Sequence, residues 1–113
     1  MNDYESMQRA DVRLRVLQVL SGVPGYQAHD GLVRSQLSAR YAHALSQDAL
    51  RSELAWLHEQ GLLRYQQTGD VVLVVLTQRG HDCAAGVAQT PGVARPGPGE
   101  ILTAAAVDIL KRL

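Results

Sequence analysis

Three segments whose apolar residues recur three and four positions apart, two strand-like runs divided by a glycine turn, and Gly/Pro punctuation between them predict an α+β fold. The chain reads as mainly α with one two-stranded β-hairpin. Its 113 residues, 46% of them apolar, suffice for a single domain with its own core.

The first helix runs from Tyr4 to Leu20, where no Gly or Pro interrupts and Met7, Ala10, Leu14 and Leu17 form one stripe expected to be buried. Val12, Val16 and Leu20 widen its apolar content in a way that suits association with a second copy. Ser21, Gly22, Pro24 and Gly25 end it. A second helix spans Asp30 to Tyr41, with Asp30 as its expected N-cap and Val33, Leu37 and Tyr41 on one face. After the link from Ala42 to Leu45, Ser46 caps a third helix, whose ridge is Leu50, Leu54 and Leu57 and which Gly61 closes. That ridge turns Gln47, Asp48, Arg51, Ser52 and Ala55 away from the core.

Leu62 to Gln67 and Val71 to Leu76 are the strand-like runs, and Thr68, Gly69 and Asp70 between them make a hairpin turn. The second run is apolar on both pleat faces, so one face needs a cover from another segment or another subunit. Thr77 caps a short fourth helix through Ala85, which ends at Gly86. Residues 1–86 therefore form the folded domain, and 87–99, with Pro91, Pro96, Pro98 and three glycines, reads as a linker. Residues 100–113 close the chain as an amphipathic helix in which Ile101, Ala105, Ile109 and Leu113 repeat every fourth position. On a tether of that length these four side chains are candidates for a dimer contact, the alternative being that the helix folds back over the apolar strand from Val71 to Leu76.

Composition narrows the function. Eleven basic and eleven acidic residues cancel, so the chain is no polybasic nucleic-acid coat. Its longest apolar run, Val71 to Leu76, falls far short of the roughly twenty residues of a membrane span. No basic stretch followed by an apolar run opens the chain, and Cys83, its only cysteine, cannot form an internal disulfide, so the cytoplasm is the expected address. Catalysis finds no support: Ser46 is explained as a cap, Cys83 as a packing residue, and Gly97 and Gly99 lie in a proline-rich loop rather than in a phosphate cradle. A thiolate metal cage needs several cysteines, and His29, His43 and His58 sit on separate elements. No enzyme, metal or cofactor is expected.

Helix, helix, short link, helix, hairpin, helix is the order of a winged helix-turn-helix, in which the third helix enters the major groove and the hairpin flanks it. The join from Leu54 to Leu63 (LAWLHEQGLL) and the hairpin exit from Leu76 to Gly80 (LTQRG) resemble recurring winged-helix signatures. A narrower resemblance, over roughly Met7 to Gly99, is to the small winged-helix proteins of Mu-like phages and prophages, related in form to ArsR-type regulators. It is carried by Pro24 to Tyr26 (PGY), Leu54 to Leu62 (LAWLHEQGL), Leu76 to Gly86 (LTQRGHDCAAG) and Pro91 to Pro96 (PGVARP). It implies a phage or prophage protein with a DNA-binding fold.

If the third helix reads duplex DNA, Arg51 can bond guanine, Gln47 adenine, and Ser52 phosphate or base, with Arg34, Arg40 and Arg64 adding phosphate contacts. A plain solvated helix face would carry the same residue types. Asp48, Glu53 and Glu59 stand among these arginines, and the wing tip Gln66 to Asp70 has no Lys or Arg and ends in an acid. That footprint predicts weak binding with a shallow salt dependence unless two copies act together. The expectation is a homodimeric, double-stranded DNA-binding regulator. The alternative is a module that uses the same fold to bind a phage or host protein, or to assist assembly or DNA packaging.

Overall fold

The computed structural model describes residues 3–98 and residue 100. Its elements are α1 (Asp3–Ser21), a 3₁₀ turn (Pro24–Tyr26), β1 (Gln27–His29), α2 (Asp30–Tyr41), α3 (Gln47–Glu59), β2 (Leu63–Thr68), β3 (Val71–Leu76) and α4 (Gln78–Ala84). Among the described residues the fold is thus α+β, four helices with a three-stranded antiparallel sheet in the order β1-β3-β2.

α1 is the central helix and packs on α2, α3, α4 and β3. It therefore needs a wide apolar face, and Val12, Val16, Leu17, Val19 and Leu20 all enter the core. Val12, Val16 and Leu20 are consequently not available to a second copy, contrary to the expectation from sequence. Met7 is not buried either: it is 69% exposed, because the first turns of α1 extend past the elements it packs against.

α2 starts one residue earlier in function than expected. His29, extended through its pairing in β1, is the N-cap, and its Nδ1 accepts from the Leu32 N–H at 3.2 Å. Asp30 is left free to turn inward, where it is only 4% exposed. The Ser46 cap of α3 is as expected, with Oγ accepting from the Ala49 N–H at 3.1 Å, and Leu50, Leu54 and Leu57 are fully buried.

β1 has no counterpart among the elements expected from sequence. Three residues with no alternation leave no strand signal, yet Gln27 and His29 pair with Val75 and Leu73 on the open edge of the hairpin. β2 pairs with the other edge of β3, from Leu63↔Leu76 to Thr68↔Val71. Val72, Val74 and Leu76 point into the core, while Val71, Leu73 and Val75 are exposed. β1 extends the sheet sideways and does not cover that outer face, so the cover expected from sequence is not supplied by the described residues.

Thr77 ties the end of the hairpin to α3: its Oγ1 accepts from the Gly80 N–H at 3.1 Å and donates to the Gly61 carbonyl at 2.8 Å. Gly80 then passes so close to β2 that a Cβ there would stand 1.9 Å from the Leu62 carbonyl oxygen. The conjunction of Leu76, Thr77 and Gly80 is thus a packing device.

The Pro/Gly segment is not a free linker. Cys83 Sγ and Thr90 Oγ1 lie 3.1 Å apart and both residues are buried, and the Ala94 N–H donates to the Ala10 carbonyl at 3.0 Å. Arg13 lies 3.8 Å above the Trp56 ring and donates to the Gly92 carbonyl at 3.1 Å, while Glu100 pairs with Arg15. The segment lacks periodicity but crosses α1 and Trp56 at positions where small residues allow close approach: a Cβ on Gly92 would meet the Trp56 ring at 2.8 Å. The expected terminal helix 100–113, with Ile101, Ala105, Ile109 and Leu113, lies outside the described residues apart from Glu100.

Candidate nucleic-acid interface

At about 100° per residue, α3 has four sides. Leu50, Leu54 and Leu57 face the core. Opposite them stand Asp48, Ser52, Ala55 and Glu59, of which only Ala55 is half-buried. Arg51 and His58 look toward α2 and the hairpin, Gln47 is exposed at the start of the helix, and Glu53 and Trp56 look toward α1. The outermost stripe of the helix expected to enter a groove therefore carries two acids.

Arg51 has a structural partner. Its Nε donates to Asp30 Oδ2 at 2.8 Å and its Nη2 to the Asp70 carbonyl at 2.5 Å, and the side chain is only 24% exposed. Asp30 Oδ1 in turn accepts from the Val72 N–H at 3.2 Å. This cluster joins the start of α2, the middle of α3 and the hairpin turn. Burial acts to raise the Asp30 pKa, but hydrogen bonds from Arg51 and the Val72 N–H, together with the Arg51 charge, outweigh it and hold the carboxyl below its ordinary value. The base-reading role expected of Arg51 thus meets a guanidinium already held by two partners within the chain.

Gln47 and Ser52 are exposed, as expected. Ser52 lines an open cleft of about 570 Å³ between α1, the α2–α3 link and α3, with Arg9, His43, Leu45 and Glu53 among its other walls. Arg34 is exposed on α2, and its Nε donates to the Leu45 carbonyl at 2.7 Å, which places it beside the start of α3. Gln47, Ser52 and Arg34 are therefore grouped around the link. Arg40 is elsewhere, in the last turn of α2, 5.3 Å from the Tyr41 ring. Arg64 is elsewhere too, opposite Val75 on the sheet face turned away from the helices.

The charge balance shifts with these contacts. Glu53 is neutralised by Arg13, whose Nε donates to Oε2 at 2.9 Å. Asp48 and Glu59 remain on the open side of α3. The wing tip, Gln66 to Asp70, is exposed; besides the Arg51 contact to the Asp70 carbonyl, its side-chain hydrogen bond among the described residues is internal, from Gln67 Nε2 to the Gly69 carbonyl at 3.3 Å. The histidines have local work: His29 caps α2, His43 Nε2 lies 2.7 Å from Asp11 Oδ2, and His58 makes an edge contact with Tyr65. Among the described residues no group of three or more His, Cys, Asp or Glu side chains is placed to hold a metal, and no helix is long and apolar enough to cross a membrane.

The pair that sequence reasoning misses is Asp30 with Arg51, and the only available signal is an acid at a helix start. Twenty-one positions separate the partners, and the local pattern of neither points to the other.

No protein-family profile matches the chain. In fold it is similar to RosR of H. salinarum, with a TM-score of 0.60 and 17% identity over 90% of this chain and 94% of RosR. In sequence it is 36% identical over 94 residues to an uncharacterized protein of Haemophilus influenzae, covering 78% of this chain and 90% of that protein. It is also 36% identical over 98 residues to the uncharacterized protein gp26 of Escherichia phage Mu, covering 87% of this chain and 97% of gp26. At that identity and coverage, the chain belongs to the family of gp26 of phage Mu.

Proposed function

We propose that this chain is a winged-helix protein that binds double-stranded DNA as a homodimer and serves as a phage or prophage regulator. The reading is non-enzymatic and cytoplasmic. The observation that carries it is the open ground around the α2–α3 link, where Gln47 and Ser52 of α3 and Arg34 of α2 face outward, uncovered by any described segment. The fold shared with RosR and membership of the phage Mu gp26 family support the same reading. An ArsR-like ancestry fits the order of elements.

In this reading Gln47 and Ser52 contact bases and backbone, and Arg34 contacts phosphate. Arg40 and Arg64 contribute only where the duplex extends toward the end of α2 or past the sheet. Arg51 acts as a positioning residue that fixes the hairpin against α3. Fluorescence anisotropy on mixed duplex DNA, at two salt concentrations, tests this with a Gln47→Ala, Ser52→Ala, Arg34→Ala variant. Binding that falls at least tenfold supports the interface, and unchanged binding removes it.

A second reading, a module for binding a phage or host protein in assembly or DNA packaging, is favoured by Asp48 and Glu59 on the open side of α3 and by Asp70 at the wing tip. Phosphate would be repelled at those positions. Absence of any DNA binding by the wild-type chain at low salt selects this reading.

A further inference from the structure

Among the described residues nothing covers the outer face of the sheet, which carries an apolar stripe. Val71, Leu73 and Val75 of the central strand are 41%, 48% and 42% exposed, an unusual run of large apolar side chains on one open face. They are flanked by Gln27 and His29 of β1 and by Arg64, Gln66 and Thr68 of β2. A groove of about 590 Å³ is lined by Leu73, Val75, Arg64 and Gln66 among others.

We infer that this face is a homotypic interface, on which a second copy of the chain packs sheet against sheet. Two features of the face select a second copy as the occupant. The first is its symmetry: the apolar stripe reads Val, Leu, Val about Leu73, so the same stripe reversed fits it. The second is charge. Arg64 lies in the row of Val75 at one end, and Asp70, an exposed residue of the hairpin turn, immediately precedes Val71 at the other. Among the described residues the Arg64 guanidinium and the Asp70 carboxylate have no hydrogen bond or ion pair; the Asp70 contact to Arg51 uses its backbone carbonyl.

A two-fold axis between the sheets, running across the strands at Leu73, brings these features together. Leu73 meets the partner's Leu73, Val75 meets the partner's Val71, and Gln66 meets the partner's Gln66, an amide able to pair with itself. Arg64 then faces the row of the partner's Thr68, beside the partner's Asp70, and the contact occurs twice. The other face-to-face arrangement, with the axis along the strands, sets Arg64 over the partner's Gln27 and leaves both charges unmatched. Charge therefore selects the antiparallel arrangement. This interface provides the pair of copies that the DNA reading calls for, but it rests on the sheet alone and holds equally for a protein-binding module.

Light scattering and sedimentation of the full-length chain test it, with circular dichroism to verify folding. The wild-type chain is expected to be a dimer. Leu73→Glu, at an exposed position, keeps its fold and raises the dimer dissociation constant about 100-fold, roughly tenfold for each of the two leucines removed. Arg64→Asp and Asp70→Arg each weaken the dimer, and the double variant regains it. Ile109→Asp, in the terminal segment, leaves it intact. A monomeric wild-type chain, a Leu73→Glu variant that dimerises as tightly as the wild type, dissociation by Ile109→Asp alone, or no recovery in the double variant overturns the inference. None of these outcomes depends on whether DNA is bound, which the anisotropy experiment reads separately.

Discussion

Asp30 and Arg51 show how one side chain is diverted from surface to structure. Removing Arg51 leaves a carboxylate that is almost fully buried with only the backbone N–H groups of Val72 and of Asp30 itself to satisfy it, and removes the donor to the Asp70 carbonyl. Arg51→Ala is expected to destabilise the fold by about 2–3 kcal/mol, read from denaturant melts, less than for a fully buried pair because the guanidinium is partly solvated. Arg51→Lys recovers only part, since an ammonium lacks the fork that reaches both acceptors. The pH dependence follows from the lowered Asp30 pKa. Its stabilising contribution is complete above the ordinary carboxylate value of 3.8 and disappears as the pH falls through the lowered native value. Asp30→Asn should therefore lose stability at neutral pH and show a flatter acid limb below about pH 4 in thermal melts. Helical spacing in the sequence correctly turns Arg51 off the core ridge. It carries no information on what stands opposite, and Asp30 appears in the sequence as a cap because its position at a helix start suits that role equally well.

At the scale of elements, the hairpin exit is the least forgiving join. A Cβ at Gly80 would overlap a backbone carbonyl, which cannot swing aside as a side chain can. Gly80→Ala is expected to cost about 3 kcal/mol or more, measured by thermal unfolding, even though alanine is the better helix former. In the segment after α4 small residues have the opposite effect, admitting a contact rather than avoiding a clash with the hairpin. Its prolines and glycines forbid regular structure, and from sequence that reads as a linker, yet the same small residues let it lie flat on α1 and Trp56. Arg13, fixed on α3 by Glu53 and the Trp56 ring, holds it through the Gly92 carbonyl. Arg13→Ala should lower stability by about 1–2 kcal/mol and open the segment locally. Hydrogen exchange of the Ala94 N–H, which donates to the Ala10 carbonyl, would then be much faster than in the wild-type chain. Equal exchange rates would mean that the contacts at Thr90, Ala94 and Glu100 hold the segment without Arg13.

For the whole molecule, neutrality governs what binding can look like. With Arg51 and Arg13 committed to Asp30 and Glu53, the guanidiniums beside α2 that remain for phosphate are Arg34 and Arg40. Two phosphates per copy, or four for a pair, give a slope of log affinity against log salt no steeper than about −4. A much steeper slope in the anisotropy titration would show that another basic surface carries the binding. The acids on the open side of α3 and at the wing tip act in the same direction, keeping the contact weak unless two copies combine. The stripe of β3 that the described residues leave uncovered is, on the proposed interface, the physical reason for two copies to combine.

Periodicity and punctuation in the sequence determined the helices, the hairpin and the caps at Ser46 and Thr77, because each depends on residues within a few positions of one another. The core ridge of α3 and the outward placement of Gln47 and Ser52 were legible for the same reason. Tertiary structure alone decided that His29 rather than Asp30 caps α2, that a third strand joins the sheet, that Arg51 is tied inward, and that the proline-rich segment is packed. Most of these rest on a partner tens of positions away. Such contacts are selected by the three-dimensional closure of the chain, and local spacing does not encode which distant group will arrive.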